Sequence, residues 1–517
     1  MANLRRGISK TGVLILGTGG VIGTGALFGS TGMAASAGPA LVISWVVASI
    51  IYSFIGINYI DLGIRFPEAG GPCRYSLYTH GRFTNLITSV ASLVWYVFIP
   101  PIEAVAVVEG LTYFDPGLLN SSGTPTTAGA LVAFGLIVIF VPLNYFGIQF
   151  FHRLTNALGG FKLIVYLVLA AGAVIFLGHA SAFTRFHGFA PFGFSGVLAA
   201  VPVAMFAFGG IRVLPDFSEE LSDARDLKVS IIVSLVGQAI IYTLFGVAFV
   251  MAINWSELGV GRGIWGKLGS VSGNPFVLLT THRDVAVLLV LAVVVAILGP
   301  FGDGYVYQGA GSRVLLAIGR SEYGPSRLKQ VSERHGVPIW GLLSLAGLGA
   351  IITLLTAPVP TIYTLINDAV VAGYLGFASV PISMLAVRGR NRSLAATLVG
   401  AAGFAGASLV VYWSGWPSLP YGLLVTAVVI AAFALVSDVG DWAGGIWYVV
   451  YAAFLLLMAA IGSVGYKDVV SFDLGSAIVV VVSVVVFLPW ALRSRLPSTN
   501  EAAADPSPQL SSGGTTQ

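Results

Sequence analysis

The chain has 517 residues, of which 56% are hydrophobic and only 9% are charged, and its formal net charge is +4 at pH 7. Together with a mean hydropathy of +0.90, this composition excludes a soluble globular domain and predicts a polytopic protein of the lipid bilayer. Basic residues lie in short loops between apolar stretches, which argues against a nucleic-acid partner. One cysteine excludes an intrachain disulfide, and no Cys/His cluster has metal-ligand spacing, so we predict no metal site and no cofactor.

The first apolar segment covers residues 11–38 and follows a basic start. It is longer than a cleavable signal sequence, so we expect it to remain in the mature protein. Nine glycines fall within it, concentrated between Gly17 and Gly25. As one helix it would run about 42 Å, against a hydrocarbon core of about 30 Å. We therefore predict a helix broken near its middle; the alternative is a glycine-rich packing face that includes Gly19 and Gly23.

We predict an all-α fold with fourteen membrane spans. They cover residues 11–38, 40–66, 83–114, 127–147, 155–178, 194–222, 229–253, 284–319, 338–357, 361–387, 393–413, 418–437, 445–465 and 474–492. Lys and Arg concentrate in alternate loops, which predicts a cell-membrane protein with both termini, 1–10 and 497–517, in the cytoplasm. The Ser-, Ala-, Pro- and Gly-rich tail is predicted to be disordered. One loop, 437–444, departs from the charge bias because it carries two aspartates and no basic residue.

The sixth span repeats the peculiarity of the first. Pro202, the run 206–210 (FAFGG) and Pro215 interrupt an apolar stretch at its middle. Because the two interrupted spans lie five spans apart, they enter the membrane from opposite sides. This pairing is typical of inverted-repeat transporters, whose substrate lies between two broken helices, although prolines and glycines also occur in ordinary membrane helices.

Four motifs in order along the chain resemble the amino acid-polyamine-organocation (APC) transporters. They are 22–28 (IGTGALF), 66–71 (FPEAGG), 206–210 (FAFGG) with 219–220 (EE), and 311–313 (GSR) with 336–338 (GVP). Four further motifs are similar to the bacterial aspartate–proton symporter branch of that superfamily. These are 71–81 (GPCRYSLYTHG), 102–103 (IE), 188–194 (GFAPFGF) and 411–416 (VYWSGW). The resemblance implies two inverted five-helix repeats, 11–178 and 194–387, and four peripheral helices within 393–492.

The same resemblance implies substrate contacts in both interrupted spans. The backbone of residues 23–25 is expected to receive the substrate α-carboxylate, which freed N–H groups and the helix dipole also favour. The α-ammonium group is expected to be held by the backbone carbonyls of Ile22, Phe206, Ala207 and Gly209. Phe208 is expected to act as a gate, and glycines 209 and 210 to permit close approach. The residues concerned are Ile22, Gly23, Thr24, Gly25, Phe206, Ala207, Phe208, Gly209 and Gly210; the alternative for all of them is helix packing.

Lys162 is the most informative ionisable residue within a span. It follows Gly147 by fifteen residues, which matches the placement of a lysine in proton-coupled APC members, where the ammonium takes the place of a sodium ion. It lies about 12 Å along its helix, too deep for simple snorkelling to an interface. We therefore predict a role for Lys162 in proton coupling.

The carboxylates within the spans leave several roles open. Glu103 and Asp303 are our candidates for proton relay, and Glu109 and Asp368 are the alternatives. Each can instead bind a substrate amine or pair with a buried cation. Near the ends of spans, we expect Asp61 and Glu68 to be interfacial, and Glu219, Glu220 and Asp223 to form a solvated charged loop. Tyr305, Tyr307 and Gln308 either line the side-chain pocket or pack in the core.

Arg212 departs from the family pattern, which places an acidic residue two positions after the second glycine of the sixth span. A guanidinium there can grip a substrate side-chain carboxylate, so we predict a small acidic amino acid as substrate. The alternative is an internal ion pair with Asp216, one helical turn away, in which case small neutral amino acids are the substrates.

We predict a secondary amino acid transporter driven by protons. A channel does not need paired broken helices, and an intramembrane enzyme needs a nucleophile with its base, whereas no histidine lies within a span core. No Gly-rich ATP-binding motif occurs, so the driving force is an ion gradient or exchange. The sequence does not predict the oligomeric state.

Overall fold

The computed structural model describes residues 4–281, 285–356, 362–389, 392–440 and 442–497, and within these ranges the chain is helical without a β-strand. Residues 498–517 of the predicted tail and the side chain of Asp368 lie outside the described part. The α-helices are α1 (Lys10–Ile15), α2 (Thr24–Ala37), α3 (Leu41–Arg65), α4 (Gly71–His80), α5 (Arg82–Leu111), α6 (Thr127–Tyr145), α7 (Ile148–Gly172), α8 (Gly193–Ala199), α9 (Val201–Phe208), α10 (Val213–Asp216), α11 (Asp226–Ala252), α12 (Pro275–Thr281), α13 (Ala286–Arg320), α14 (Ile339–Thr356), α15 (Ile362–Arg388), α16 (Leu394–Trp413), α17 (Ser418–Val436), α18 (Ile446–Ile461), α19 (Phe472–Val482) and α20 (Leu488–Arg493).

Eleven helical stretches in the described ranges are long and apolar enough to cross a membrane. The first stretch, Lys10–Arg65, covers two predicted spans. Two further predicted spans coincide with α14, a shorter apolar helix, and with α15. The multi-pass membrane architecture is therefore confirmed, whereas the number fourteen and the boundaries of the two repeats and the peripheral helices stay predictions.

The first span is broken where the glycines predict it. After α1 the chain makes a π-helical turn over Leu16–Gly20, loses helical structure at residues 21–23 and resumes as α2 at Thr24. The glycines also permit close packing, since a Cβ at Gly19 would collide with the backbone of Gly159 in α7. A broken helix and a packing face were alternatives in the sequence, and the structure combines them.

The sixth span is interrupted in a different way from the expected unwound break. Helix α9 passes directly into a 3₁₀ turn over Gly209–Arg212 and then into α10. Gly209 has φ −54° and ψ −22°, within the range of a 3₁₀ helix. Pro202 lies in the first turn of α9, where its missing N–H is no defect. The chain therefore changes from an α-helix to a 3₁₀ helix at the glycines, and its backbone dihedral angles stay helical.

The charged sequence after α10 is not a solvated loop, and this prediction is wrong for Glu219 and Glu220. The Arg313 guanidinium donates two hydrogen bonds of 2.8 Å to the fully buried carboxylate of Glu220. Arg320 and the Ala69 N–H donate to Glu219. Although burial opposes ionisation, these donors hold the pKa of Glu219 below its usual range. The arginines come from α13, about a hundred residues later in the sequence, so local composition cannot reveal them. Asp223, in contrast, is exposed.

The amino-terminal residues pack against this same loop. The Gly7 and Ile8 N–H groups donate to the Glu220 carbonyl at 2.9 and 3.1 Å, and the Ser222 N–H donates to the Ile8 carbonyl at 3.0 Å. Residues 7–8, which precede the first span, are therefore hydrogen-bonded to residues 220–222, which follow the sixth span.

Candidate functional site

The two interrupted spans contact each other at their irregular points. A Cβ at Gly25 would lie 2.7 Å from the Ala207 Cβ, and one at Gly210 would lie 2.6 Å from the Val21 Cβ. Side chains of α11 satisfy freed carbonyls on both: Gln238 donates to the Gly17 carbonyl at 2.7 Å and Tyr242 to the Ala207 carbonyl at 3.0 Å. Backbone that leaves the α-helix at membrane depth needs such partners because lipid supplies none.

The N-terminus of α2 is capped by the carboxylate of Glu103. The Thr24 N–H donates to Glu103 Oε2 at 3.1 Å and to Oε1 at 3.3 Å, and the Thr24 hydroxyl donates to Oε2 at 2.6 Å. Both residues are fully buried. The positive end of a helix dipole with free N–H groups attracts an anion. This helix end, where the substrate carboxylate was predicted, is therefore an anion site, with a carboxylate of the protein in it.

Asp303 of α13 lies beside the same break. A Cβ at Gly23 would lie 2.6 Å from both Glu103 Oε2 and the Asp303 Cβ, so only glycine fits between the two carboxyl groups. Asp303 is 5% exposed, and its Oδ1 has no hydrogen-bond partner among the described residues. Two carboxyl groups in such proximity favour sharing a proton. The structure therefore brings both predicted relay carboxylates together.

Lys162 joins this cluster from α7. Its ammonium donates to the carbonyls of Gly20, in the first span, and Gly299, in α13, at 3.2 and 3.0 Å. Lys162 is 2% exposed, which rules out snorkelling. Tyr166, one helical turn further along α7, donates to the Gly23 carbonyl at 3.4 Å. We call the group formed by Lys162, Glu103, Asp303 and Thr24 the first-span cluster.

Arg212 lies in a second buried group. Its Nη2 donates to the Ser92 hydroxyl at 2.8 Å, and its guanidinium carbon lies 5.0 Å from the Tyr96 ring centre and 4.9 Å from that of Phe377. Its Nε and Nη1 have no hydrogen-bond partner in the described part of the chain. The Asp216 carboxylate accepts a hydrogen bond from the Tyr96 hydroxyl, and its Oδ1 is likewise unpartnered. Arg212 and Asp216 make no direct hydrogen bond in the described structure, but Tyr96 contacts both, with its hydroxyl on Asp216 and its ring against the Arg212 guanidinium. The internal ion pair between Arg212 and Asp216 stays a prediction. We call Arg212, Asp216, Ser92 and Tyr96 the sixth-span cluster.

The aromatic side chains of the sixth span differ in surroundings. Phe206 lies 5.8 Å from the Trp95 ring centre and is 5% exposed. Phe208 is fully buried and stacks on Tyr52 at 6.1 Å. A gating role for Phe208 stays a prediction. The same holds for the other predicted substrate contacts, which are Ile22, Gly23, Thr24, Gly25, Phe206, Ala207, Gly209, Gly210 and Arg212.

The remaining polar candidates on α5 and α13 are buried. Glu109 is 6% exposed. Tyr305 shares a hydrogen bond of 2.6 Å with Thr155, and Gln308 donates to the Ile137 carbonyl at 3.4 Å. These contacts tie neighbouring helices together. At the amino-terminal face, Asp61 pairs with Arg388 and Glu68 with Arg74, both partly exposed as expected of interfacial residues.

Sequence reasoning missed Ser92 and Tyr96 of the sixth-span cluster, and it missed Tyr166, which lies beside the first-span cluster and donates to the Gly23 carbonyl. A signal was present for two of them, since Ser92, Tyr96 and Glu103 follow each other on α5 at spacings of four and seven, which places them on one helix face. No group of three or more His, Cys, Asp or Glu residues in the described ranges has the arrangement of a metal site.

Comparison with known proteins identifies the family of the chain. The family model described as "Amino acid permease" matches residues 8–418. The chain is 29% identical to the glutamate/serine transporter AimA of Bacillus subtilis over 96% of its own length and 95% of that protein. It is 28% identical to the aspartate-proton symporter of the same organism, over 96% and 98% of the two chains. The branched-chain amino acid permease BcaP of B. subtilis is 25% identical over 76% of this chain and 83% of its own. These relatives are transporters and not enzymes, as the sequence predicts, and the chain belongs to the amino acid permease family of the APC superfamily.

Proposed function

We propose that this permease is a symporter that moves an acidic amino acid together with protons by alternating access. The observation that carries the proposal is the Glu103 carboxylate on the Thr24 donors at the N-terminus of α2. A proton-titratable group thereby occupies the place that the family resemblance gives to the substrate carboxylate.

The coupling follows from competition for one anion site. While Glu103 and Asp303 share one proton and Glu103 is the ionised partner, Glu103 satisfies the Thr24 N–H and its charge repels a second carboxylate. Protonation of Glu103 removes the repulsion and weakens its hold, because hydrogen bonds to an ionised acceptor are about twice as strong as neutral ones. Substrate carboxylate and proton then enter together, which is symport.

Lys162 supplies the fixed positive charge of the first-span cluster. Its ammonium connects the Gly20 and Gly299 carbonyls, so a side-chain cation joins the broken first span to α13. When Glu103 or Asp303 gains or loses a proton, the net negative charge opposite the Lys162 ammonium changes. We expect coupling to protons and no requirement for sodium.

Arg212 is proposed to read the substrate side chain. A buried guanidinium with two unpartnered nitrogens can form a bidentate pair with a carboxylate, which the Ser92 hydroxyl does not provide. Two relatives carry acidic amino acids in their names, glutamate in one and aspartate in the other. Both observations favour aspartate or glutamate.

A second candidate substrate class is the small neutral amino acids. The guanidinium of Arg212 already lies between the rings of Tyr96 and Phe377, and an arginine so stacked can be structural. Serine also stands in the name of one relative. Transport of serine or alanine in preference to aspartate would follow if Arg212 only packs.

The deciding experiment is uptake of radiolabelled aspartate, glutamate, serine and alanine into proteoliposomes, with and without an imposed proton gradient and in sodium-free buffer. We expect concentrative aspartate or glutamate uptake only with the gradient. If neither aspartate nor glutamate is taken up, Arg212 does not recognise a substrate side chain. If uptake strictly requires sodium, the proposed role of Lys162 in proton coupling is refuted. We also propose a cell-membrane location with cytoplasmic termini, which protease accessibility of terminal tags in intact and opened cells tests.

A further inference from the structure

A cavity of about 200 Å³ opens on the face that carries the amino terminus, away from both clusters. It lies where the end of α3, the end of α15 and the beginning of α16 meet. Its lining includes Asn58 and Asp61, Met384 and Arg388, and Ser393 and Ala396. None of these residues has a part in the proposed transport cycle.

The polar part of the cavity favours a phosphate group. Arg388 donates through Nε and Nη2 to a single oxygen of Asp61, Oδ2, and both side chains are about 40% exposed. Ser393 caps α16 by accepting from the Ala396 N–H at 3.2 Å, and the N–H groups before it, at residues 394 and 395, have no acceptor within the helix. A guanidinium beside a helix N-terminus is an anion site.

Asn58, a buried residue that lines the same cavity, has an unused hydrogen-bond acceptor. Asn58 is 1% exposed, its Nδ2 donates to the Phe54 carbonyl and its Oδ1 has no partner among the described residues. An unpaired buried amide oxygen costs free energy unless a donor reaches it. A headgroup hydroxyl is such a donor, so the cavity suits a ligand that carries both a phosphate and hydroxyls.

An apolar track leads from the cavity along the membrane-facing surface. Ile43, Val46, Ile50 and Ile57 of α3 are 41–52% exposed and recur at spacings of three, four and seven, and Leu394 and Leu398 of α16 are 74% and 60% exposed. Helices α3 and α16 touch behind this track, since a Cβ at Gly406 would lie 2.7 Å from Ile51. The track gives acyl chains a path, which a free phosphate ion does not need.

We propose that this cavity binds the headgroup of an anionic glycerophospholipid from the leaflet on the amino-terminal side. Arg388 and the α16 N-terminus hold the phosphate, Asn58 accepts from a glycerol hydroxyl, and the α3 track holds an acyl chain. Charge complementarity selects this occupant, because Arg65, Arg388 and Arg392 outnumber Asp61 at the ends of these helices.

The test is native mass spectrometry of the detergent-purified full chain titrated with dioleoyl-phosphatidylglycerol or dioleoyl-phosphatidylcholine. We expect phosphatidylglycerol to bind more tightly, and Arg388→Gln to weaken it about fivefold, the effect of one basic residue at an anionic lipid. Arg225→Gln, which removes an exposed arginine from the same face, is the matched control and should bind as the wild type does.

A second variant guards against misfolding of Arg388→Gln. Ala396→Leu fills the cavity without changing its charge, and it should weaken both lipids while thermal unfolding and gel filtration stay normal. Equal binding of the two lipids, unchanged phosphatidylglycerol binding in either cavity variant, or loss of that lipid to excess inorganic phosphate overturns the proposal. The measurement needs no transport, so its outcome is independent of the proposed symport.

Discussion

The first-span and sixth-span clusters are both buried, charged and anchored on α5, yet they differ in how their charges are satisfied. In the first, Lys162 and Glu103 bond directly to the backbone around a break in the chain. In the second, Arg212 bonds to one hydroxyl and lies between two rings, and two of its nitrogens have no partner in the described residues. The backbone beside it stays helical.

This difference separates two tasks. Charges bonded to a backbone break can change its geometry when one of them gains or loses a proton. A cation with unused donors next to intact helix has capacity for an incoming anion without any change in the backbone. We therefore assign coupling to the first-span cluster and side-chain selectivity to the sixth, and the following substitutions test that division.

The largest effect is expected from Lys162→Ala. Removing the ammonium deletes its hydrogen bonds to the Gly20 and Gly299 carbonyls and leaves the two carboxyl groups of the cluster without their lysine. Proton-driven accumulation should fall to the equilibrium level, while counterflow exchange in the absence of a gradient persists in folded protein. Undiminished accumulation by this variant would show that the lysine has no part in coupling.

Glu103→Gln should abolish the response to the proton gradient while preserving substrate binding. The amide has the shape of the protonated acid and cannot be ionised, so the competition at Thr24 disappears. The measurement is counterflow across a pH series, which should become flat. Glu109→Gln, on the same helix and also buried, tests the alternative relay residue and should retain the wild-type profile. A flat profile in Glu109→Gln together with an unchanged profile in Glu103→Gln contradicts the mechanism.

Replacing Gly25 by Val tests whether the contact between the two interrupted spans is needed for substrate binding. A Cβ there already meets Ala207 at 2.7 Å, and overpacking of this kind should weaken substrate binding by up to about 100-fold. Gly209→Val, which would push against the Trp95 indole, should act similarly. Gly135→Val has nothing within 4 Å and serves as the control, with insertion judged by membrane yield. Wild-type affinity in both test variants would mean that these glycines only pack helices.

Arg212→Gln should have the smallest effect on overall activity and the most selective one. Loss of a charge-assisted pair should lower aspartate or glutamate uptake by about tenfold relative to alanine uptake. The ratio of the two initial rates is the measurement, because a merely structural arginine would lower both together. An unchanged ratio assigns Arg212 to packing and moves selectivity elsewhere.

Sequence alone predicted the broken first span. The apolar segment is longer than the hydrocarbon core, and its nine glycines make one continuous helix unfavourable. It predicted the burial of Lys162 from its depth in a helix. It did not predict the 3₁₀ form of the sixth span, since α and 3₁₀ turns differ by only tens of degrees in ψ. Nor did it predict the bond between Glu103 and Thr24, or that between Arg212 and Ser92. Those partners are 79 and 120 residues apart, and no local pattern encodes which helices meet.

The attachment of the amino terminus to the loop after α10 sets a threshold for opening that face of the protein. Separating residues 7–8 from residues 220–222 breaks three backbone hydrogen bonds, each of them contributing roughly 0.5–1.5 kcal/mol. Any state in which these two segments separate must offset that sum, before the buried Glu220–Arg313 pair is disturbed. A fusion tag inserted close before Gly7 would therefore alter the balance between the two access states even if it never touched the substrate.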